Sequence, residues 1–445
     1  MKSENIAAIS TGAVASGVGV IRISGDSPLE IAKKIFKPSG KIKVSEFVPN
    51  MMYAGEILAD GFTDYGMCVY FKAPKSFTGE DTIEFHCHGG IAITRGILKT
   101  ILNNGARLAL NGEFTKRAFM NGKLSLASAE GLIDMINSES VSGVKAGYYL
   151  YREKLTNEVC AIQDLLLDAI SEIDADMDFP EEDLETHSAE KSKDALQESI
   201  ERIDKLLSTF RVGRTLKNGV KVGIVGKPNT GKSSILNALL NYDKAIVSDV
   251  AGTTRDVVEG SIDIDGVRFN FSDTAGIRDS SDRIEEIGVS LSKKILDESD
   301  LVLFVMSSDD VTDEDKEIYS LVKDKNLLTV VNKTDKSDKK YDIADLYVSA
   351  LTKQNIDELR KAIMQKSVGE GIDLSGDFLC EERHFYALQD ARERLSEALS
   401  AVGNTPLDIL AIDVKAGWDA LGEISGKTAT EEIINNIFSK FCVGK

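Results

Sequence analysis

The spacing of apolar positions changes along the chain and divides the sequence into four stretches. From residue 1 to about 118, short apolar runs such as VGVIRISG and TIEFHCHGG alternate with glycines around one helix-like segment near 91–103. That pattern predicts a small α/β domain. From 119 to 214, apolar residues recur every three or four positions, as at Leu155, Val159 and Ile162, which is typical of amphipathic helices packed on one another.

The third stretch alternates apolar, strand-like runs with helix-like segments, the pattern of a mostly parallel sheet. Helical spacing then returns, and Thr428 and Glu431 are spaced as a capping box that would begin a final helix. The pattern therefore predicts a multidomain fold that combines α/β and all-α parts. Its predicted parts are an N-terminal domain (1–118), a helical domain in two parts (119–214 and 371–445) and an α/β module inserted between them (215–370).

The composition is that of an ordinary globular protein, with 42% hydrophobic and 28% charged residues. The longest strongly apolar run, Leu301 to Met306, is too short to cross a membrane. The N-terminus lacks the basic and apolar regions of a signal peptide. Five scattered cysteines indicate no disulfide framework, so we expect a cytoplasmic protein with no membrane partner.

The net charge of −19 argues against a protein whose whole surface binds nucleic acid. Any such contact must use a local basic patch or the surface of a partner. From Glu172 to Glu185 there are eight carboxylates and no basic residue, which predicts a solvated, mobile loop.

A phosphate-binding loop follows the apolar run VKVGIVG (220–226), which predicts a buried strand. Gly226-Lys-Pro-Asn-Thr-Gly231-Lys232-Ser233 then leads into a good helix former, so the strand–loop–helix context is present. Lys232 should reach the β- and γ-phosphates, and the Ser233 hydroxyl should bind Mg²⁺. A second match, GEISGKT (422–428), has the wrong glycine spacing and no preceding strand, so we predict that it does not bind nucleotide.

Two further motifs indicate that the nucleotide is GTP. Asn332-Lys-Thr-Asp335 follows the strand-like NLLTVV, and a carboxylate there can accept hydrogen bonds from guanine N1–H and the 2-amino group. A site built to bond those donors rejects adenine. Ser349-Ala-Leu351 fits a second base-contacting loop.

Asp273-Thr-Ala-Gly276 ends a strand that follows the hairpin turn Asp265-Gly266. Asp273 would hold Mg²⁺ through water, and the Gly276 amide would contact the γ-phosphate. Thr253 and Thr254 are the candidate switch threonines, and the later one is the better candidate for Mg²⁺.

The motifs leave open which residue orients the attacking water. Small regulatory GTPases carry a glutamine after the glycine of this motif, whereas this chain has Ile277, which cannot orient water. Glu285 or Glu286 could supply the polar group, and spacing does not choose between them.

Segments outside the nucleotide motifs resemble the MnmE (TrmE) family of bacterial tRNA-modification GTPases over essentially the full length. They are IRISG (21–25), EFHCHGG (84–90), GEFTKRAFMNGKLSLASAEGLID (112–134) and the terminal FCVGK (441–445). The resemblance implies an N-terminal domain that binds folate and dimerises, a discontinuous helical domain and an inserted Ras-like P-loop G domain.

The resemblance also implies an activity and its partners. Family members act with the FAD-dependent protein MnmG in a heterotetramer, so FAD would enter only through that partner. Together they add an aminomethyl or carboxymethylaminomethyl group at C5 of the wobble uridine of certain tRNAs, using 5-formyl- or 5,10-methylene-tetrahydrofolate. By the same resemblance, Arg22, Glu84, Lys123 and Lys445 would bind the folate, and Cys442 corresponds to a functionally required cysteine.

Within the G domain, the resemblance implies K⁺ as an activator and Glu285 as the residue that polarises the attacking water. The K⁺ ligands would be Asn229, Ser248, Val250 and Thr253, and the Mg²⁺ ligands Ser233 and Thr254. The residues assigned to GTP are Asn229, Thr230, Gly231, Lys232, Ser233 and Ser234; Ser248, Asp249, Val250, Ala251, Gly252, Thr253 and Thr254; Asp273, Thr274, Ala275 and Gly276; Asn332, Lys333 and Asp335; and Ser349, Ala350 and Leu351.

Three alternatives are weaker. His86-Cys87-His88 could suggest a metal site, but in a strand Cys87 would point away from the two histidines. The nucleotide motifs alone would also allow a ribosome-assembly-type switch GTPase. A third alternative is a folate-dependent one-carbon transferase in which GTP is only regulatory.

Overall fold

The computed structural model describes residues 3–178, 185–242, 260–273, 296–369 and 378–444. The chain divides into two compact units. Unit 1 comprises Met1–Ile133, Leu150–Glu201 and Ala387–Lys445, and unit 2 comprises Asp134–Tyr149 and Arg202–Tyr386. Among the described residues, no helix is both long enough and apolar enough to span a membrane.

Unit 1 contains a seven-stranded sheet with the strand order β3-β4-β5-β6-β2-β1-β7. Neighbouring strands are antiparallel except for β1 and β7, which run parallel. Its strands are β1 (Ile6–Ile9), β2 (Ser16–Gly25), β3 (Phe36–Pro38), β4 (Met52–Ala59), β5 (Phe62–Phe71), β6 (Asp81–Gly89) and β7 (Arg107–Leu108).

One face of this sheet packs against α1 (Pro28–Ile35) and α2 (Ile91–Asn103). Ile21 and Ile23 of β2 and Ile83 and Phe85 of β6 are fully buried in that core. Because side chains alternate along a strand, Arg22 and Glu84, which are paired in register, lie on the opposite face.

Besides α1 and α2, four helices of the described part lie wholly within unit 1: α3 (Glu113–Met120), α6 (Lys154–Asp178), α13 (Leu407–Ser425) and α14 (Glu431–Ser439). The long helix α6 (Lys154–Asp178) packs on α13, and Gln163 and Trp418 exchange hydrogen bonds of 2.9 and 3.1 Å with each other's backbone carbonyls. Helices from both sides of the inserted module thus share one core, as predicted for a discontinuous helical domain. The domain boundaries given above stay predictions.

Four further helices include residues of both units: α4 (Leu126–Asn137), α5 (Val141–Tyr151), α7 (Glu185–Ser208) and α12 (Glu382–Ala401).

Two sequence predictions are wrong. Residues Glu172 to Asp178 do not form a loop, because α6 continues through them with Ile173 buried and Asp174 exposed; residues 179–184 lie outside the described part. The final helix is not capped by Thr428, whose hydroxyl donates to the Asp419 carbonyl instead. The N-cap is Thr430, whose hydroxyl accepts from the Ile433 amide.

Unit 2 contains a six-stranded sheet with the order β13-β12-β11-β8-β10-β9, parallel except for the β9–β10 hairpin. Asp265 and Gly266 form the hairpin turn with φ values of 52° and 85°, as a two-residue turn requires. The strands are β8 (Val220–Val225), β9 (Gly260–Ile264), β10 (Val267–Asp273), β11 (Leu301–Ser307), β12 (Leu327–Asn332) and β13 (Leu346–Tyr347). Among the described residues, the helices lying wholly within unit 2 are α8 (Phe210–Asn218), α9 (Lys232–Tyr242), α10 (Asp313–Val322) and α11 (Ile356–Val368).

A network of charged side chains joins β7 to the start of α3 in unit 1. Both guanidinium Nη atoms of Arg107 donate to Glu113, at 2.7 and 2.6 Å, and Arg117 donates to the same carboxylate at 3.0 Å. Burial would raise the pKa of Glu113, but the bonds from Arg107, the Leu110 amide and Arg117 outweigh it and lower that pKa to about 2.

We expect this network to make unit 1 sensitive to acid. Because the folded-state pKa of Glu113 lies below its unfolded value, the stability that it contributes is present above about pH 4.3 and is lost as the pH falls towards 2. Glu113→Gln should therefore lower the unfolding free energy at pH 7 by about 1–2 kcal/mol, with a smaller gap at pH 3. Fluorescence of Trp418, the single tryptophan and a unit 1 residue, would follow urea unfolding. The exposed Glu30→Gln is the control, and a gap that stays constant with pH would contradict the assignment.

Candidate functional site

The phosphate loop connects the buried strand β8 to α9, as predicted. Its glycines are required because neighbouring backbone and side-chain atoms leave no space for a Cβ. Gly226 has a φ of 150°, and a Cβ there would lie 2.2 Å from the Val305 carbonyl oxygen. Gly231 has a φ of 92°, and a Cβ there would lie 2.3 Å from the Asn332 amide nitrogen. The loop thus opens onto the N-terminus of α9, where backbone N–H groups favour a phosphate.

Lys232 lies across this loop and is almost fully buried. Its Nζ atom donates to the carbonyls of Gly226 at 2.8 Å and Lys227 at 3.0 Å. The Thr230 hydroxyl donates to the same Lys227 carbonyl at 3.0 Å. The ammonium group is therefore held over the loop that would surround the phosphates.

The base-recognition motif is joined directly to the phosphate loop. Asn332, at the end of β12, donates from Nδ2 to the Thr230 carbonyl at 3.0 Å and accepts from the Ala350 amide at 3.1 Å. Lys333 donates from Nζ to the Asn229 carbonyl at 2.6 Å. These bonds bring three motifs that are distant in the sequence into one site.

The carboxylate of Asp335 is oriented by the second base loop. The buried Ser349 hydroxyl donates to Asp335 Oδ1 at 2.5 Å, and Ser349 Oγ accepts from the Thr352 amide at 3.2 Å. Leu351 is 83% exposed beside this pair. A carboxylate oxygen has two lone pairs, so Asp335 retains acceptor capacity for guanine.

The structure also reveals a phosphate-loop residue that the sequence analysis did not single out. The side chain of Lys227 is 6% exposed, and its Nζ lies 3.1 Å from Asp315 Oδ2, which is itself buried at the first turn of α10. The same Nζ contacts Asp310 and Thr312. The spacing of GKPNTGKS gave no sign of this ion pair, because its partners come from a distant helix.

Several predicted nucleotide residues lie outside the described part of the chain. They are Ser248, Asp249, Val250, Ala251, Gly252, Thr253, Thr254, Thr274, Ala275, Gly276 and Glu285; of Asp273, only the backbone at the end of β10 is described. Ser233 and Ser234 lie in the first turn of α9.

A second site lies on the face of the unit 1 sheet opposite α1 and α2. Arg22 Nε donates to Glu84 Oε1 at 2.7 Å, and both side chains are largely buried. The Arg22 guanidinium lies 5.4 Å from the centre of the Phe77 ring and 5.6 Å from that of Phe114. Burial would raise the pKa of Glu84, but His86 and Arg22 together hold it below its ordinary value.

His86 leaves one buried polar atom of this site unsatisfied in the described part of the chain. His86 Nε2 is buried and has no hydrogen-bond partner among the described residues, and it lies 3.5 Å from Glu84 Oε2. Lys123 Nζ donates to the Pro74 carbonyl at 3.0 Å, at the base of the loop that carries Phe77. Arg22 and Glu84 therefore meet directly, whereas Lys123 is joined to them through this loop.

The C-terminal tail reaches the same sheet. Val443 bridges to Asn111, and Gly444 packs so closely on β1 that a Cβ there would lie 2.3 Å from the Ile9 carbonyl oxygen. The neighbouring Ala8 pairs with Arg22, so the tail ends one strand away from the Arg22–Glu84 pair. Lys445 itself lies outside the described residues, and Cys442 is exposed.

The side chains of Cys87 and His88 in the histidine–cysteine segment bond to different partners. Cys87 is buried and its thiol donates to the Gly19 carbonyl, whereas His88 bonds to Asp64 at 2.7 Å. Within the described ranges, no group of three or more His, Cys, Asp or Glu side chains could hold a metal ion. The second match, GEISGKT, lies at the end of α13, with no strand before it, as predicted.

The fold and geometry of unit 2 define a guanine-nucleotide-binding P-loop module inserted in a larger protein. Comparison with known families extends this class: residues 126–442 match the MnmE helical domain, and residues 5–123 match the N-terminus of the GTP-binding protein TrmE. The chain belongs to the MnmE family of tRNA-modification GTPases, and it is a GTP hydrolase.

Individual relatives align along their whole length. The tRNA modification GTPase MnmE of Caldicellulosiruptor saccharolyticus is 39% identical over 455 residues, covering all of both chains. The protein of the same name from Lactobacillus helveticus is 38% identical over 99% of this chain and 98% of the relative. Among solved structures, Aquifex aeolicus Era bound to GDP and AlF4− is 31% identical, covers 39% of this chain and 66% of its own, and has a TM-score of 0.28.

Proposed function

We propose that this chain is a potassium-activated GTPase whose hydrolysis cycle drives modification of the wobble uridine of certain tRNAs. The observation that carries the proposal is the joined nucleotide site, in which Asn332 and Lys333 bond to the backbone carbonyls of Thr230 and Asn229. Full-length relatives named tRNA modification GTPases support extending that reaction to this chain.

In this proposal the phosphate loop binds GTP with Mg²⁺. Lys232 contacts the β- and γ-phosphates, while Ser233 and Thr254 supply hydroxyl ligands and Asp273 acts through water. When bound, Mg²⁺ offsets the negative charge of the phosphate oxygens. The nearly buried position of Lys232 supports this role, because a cation held over the loop needs little reorganisation.

The attacking water is polarised by Glu285 in this proposal, because Ile277 cannot do so. K⁺ would be held by the side chain of Asn229 and by Ser248, Val250 and Thr253. Asn229 has a φ of 63°, a left-handed backbone conformation in the phosphate loop. Amide and carbonyl oxygens are suitable ligands for a hard cation.

The Arg22–Glu84 site would bind 5-formyl- or 5,10-methylene-tetrahydrofolate, the one-carbon donor. Glu84 would accept hydrogen bonds from the amino and N–H groups of the pterin. Lys123 and Lys445 would meet the carboxylates of the folate tail. Arg22 is held against Glu84 and would orient it. Cys442 belongs to the C-terminal tail that reaches β1, and its thiol is exposed. This position supports a role for Cys442 in the same reaction.

The proposed partners are tRNA, the FAD-dependent MnmG in a heterotetramer, and a second copy of this chain, all in the cytoplasm. The face of the unit 1 sheet opposite α1 and α2 supports the homodimer, because β2, β4 and β5 expose several large apolar side chains there in the part of the chain that the structure describes. They are Val18, Met52, Leu58, Tyr65 and Met67. Such a patch on one sheet face is typical of a protein–protein interface.

GTP turnover in KCl and in NaCl at equal ionic strength tests the catalytic assignment. Turnover should be much faster in K⁺, and Glu285→Ala should lower the K⁺ rate by about 100-fold or more, since a positioned carboxylate contributes about that much. Glu286→Ala is the matched control, because it removes the neighbouring carboxylate and should leave the rate nearly unchanged. Equal slow rates in both salts, with no effect of Glu285→Ala, would contradict the proposal and favour a switch that hydrolyses GTP only with a partner.

The transferase alternative is separated by a modification assay with MnmG, tRNA and folate. In the proposed function, a Glu285→Ala chain that still binds folate fails to support modification, because hydrolysis drives the reaction. Full modification by that variant would mean that GTP is only regulatory. A ribosome-assembly switch GTPase would instead not need folate at the Arg22–Glu84 site.

A further inference from the structure

We propose that a lysine-rich edge of unit 1 binds the phosphate backbone of tRNA; this inference rests on the proposed function, which supplies the RNA. We define the basic edge as Lys33, Lys34, Lys37, Lys41 and Lys43. Residues 31–45 contain these five lysines and no carboxylate, in a chain that has 72 acidic and 53 basic residues. The positive charge of this segment contrasts with the net negative charge of the protein and favours a negatively charged partner.

The fold of this segment directs all five lysines to the surface. Ile31, Ala32 and Ile35 of α1 and then Phe36 and Val44 are buried in the core of unit 1. The lysines occupy the positions between them and are exposed. They follow the last turn of α1, the outermost strand β3 and the loop that leads to the short 3-10 helix Val44–Glu46.

The charge of the basic edge is only partly neutralised within the protein. Lys33 Nζ lies 2.5 Å from Glu30 and Lys37 Nζ lies 3.4 Å from Glu56, both as exposed pairs. Such pairs are weak and readily exchanged for another anion. The ammonium groups of Lys34, Lys41 and Lys43 form no ion pair with any described residue.

Protection of an exposed strand edge explains only part of this pattern. Lysine and proline on an edge strand prevent pairing with other chains. Lys37 and Pro38 lie on β3 and fit that purpose. Lys33 and Lys34 lie on a helix, and Lys41 and Lys43 follow the strand, so edge protection does not account for them.

The position of the basic edge suits an RNA whose base is modified in unit 1. In the strand order, β3 is separated from β6, which carries Glu84, by β4 and β5. At about 4.8 Å per strand, that separation is roughly 14 Å. The strand register adds about 13 Å along the strands, so an RNA strand held by its phosphates at this edge would lie about 20 Å from the Arg22–Glu84 site. The basic edge contains none of the apolar residues proposed for the homodimer interface. Phosphate contacts of this kind position the RNA without reading its sequence.

Binding of bulk bacterial tRNA to the full-length chain, measured by fluorescence anisotropy over a range of KCl concentrations, tests this inference. The variant Lys34→Gln/Lys41→Gln/Lys43→Gln should bind tRNA about tenfold more weakly, and the slope of log K against log salt should fall by about 2–3, one lysine accounting for about one phosphate. The matched control is Lys99→Gln/Lys193→Gln/Lys415→Gln, which removes three exposed lysines from unit 1 and changes the net charge equally. GTP turnover should be unchanged in both.

The outcomes separate this inference from the proposed function. If both triple variants lose the same affinity for tRNA, or neither loses any, the basic edge is not the RNA surface. The proposed function stays intact in that case, provided that the wild-type chain binds tRNA and supports its modification. If the wild-type chain with MnmG neither binds tRNA nor modifies it, the proposed function itself fails. If the wild type binds vesicles of phosphatidylglycerol and phosphatidylcholine through these lysines and does not bind tRNA, the edge recognises a membrane surface and the inference is overturned.

Discussion

Asp335→Asn is expected to exchange the nucleotide preference of the chain from GTP to xanthosine triphosphate. The carboxylate accepts two donors from guanine, N1–H and the 2-amino group, while Ser349 fixes its orientation through the 2.5 Å bond to Oδ1. Xanthine has a carbonyl in place of the 2-amino group, so it requires a donor at this position. The asparagine amide can accept from N1–H and donate to that carbonyl.

We expect GTP affinity to fall by about 10³-fold or more, because the asparagine side chain cannot accept hydrogen bonds from both guanine N1–H and the 2-amino group. Xanthosine triphosphate should bind the variant with an affinity near that of the wild type for GTP. Competition against a fluorescent GDP analogue would measure both. Asp338→Asn, which changes an exposed carboxylate a few residues further on, is the control. Equal loss of affinity for both nucleotides would mean that Asp335 serves only to hold the Ser349 loop.

Lys217→Met is expected to destabilise unit 2 by about 3 kcal/mol, because it removes the cation that offsets the negative charge of two poorly solvated carboxyl groups. Lys217 lies at the end of α8, just before the strand that leads to the phosphate loop. Its Nζ lies 2.8 Å from Asp134 Oδ1 and also contacts Glu381 Oε1, and all three side chains are at most 23% exposed. The cluster thus ties α8 and the segment that follows the inserted module to α4.

The thiol of Cys380, the neighbour of Glu381, provides the measurement. Cys380 is buried, and burial raises the pKa of its thiol, so the thiol reacts only when the segment opens. In Lys217→Met, labelling of Cys380 followed by peptide mass spectrometry should be about 100-fold faster, at 1.4 kcal/mol per factor of ten. Lys217→Arg, which keeps the charge, should stay near the wild-type rate. Lys217→Met combined with Glu381→Gln should recover much of the loss, and no recovery would contradict an electrostatic cause.

The same cluster should give unit 2 an opposite pH dependence to that of the Glu113 network. Burial, followed by the nearby Glu381 carboxylate, raises the pKa of Asp134 to about 8 against the effect of Lys217. The unfolded chain binds fewer protons than the folded one between the ordinary carboxyl pKa and 8, so the stability of unit 2 should fall as the pH rises through that range. Asp134→Asn should flatten this dependence.

Local signals in the sequence were sufficient for the nucleotide motifs and most of the elements around them. The glycine loop, the Asp265-Gly266 turn and the strand before Asn332 each depend on neighbours within a few residues. The same kind of signal misled at the acidic run, because composition suggested a loop while the helical spacing that ends at Ile173 continued α6 through it. The capping prediction failed at Thr428 because its hydroxyl bonds to the preceding helix, and Thr430 caps the final helix instead.

The sequence by itself thus determined the order of the elements, the class of nucleotide and the family, since these follow from local spacing and from motifs that are contiguous along the chain. Only the tertiary structure decided which distant groups meet: Lys227 with Asp315, Arg22 between Phe77 and Phe114, and Lys217 with Asp134 and Glu381. The physical reason is that a buried charge requires a partner, but any of the 72 acidic residues could have served. The packing of helices and strands from separate parts of the chain selects the partner, and no local pattern records that choice.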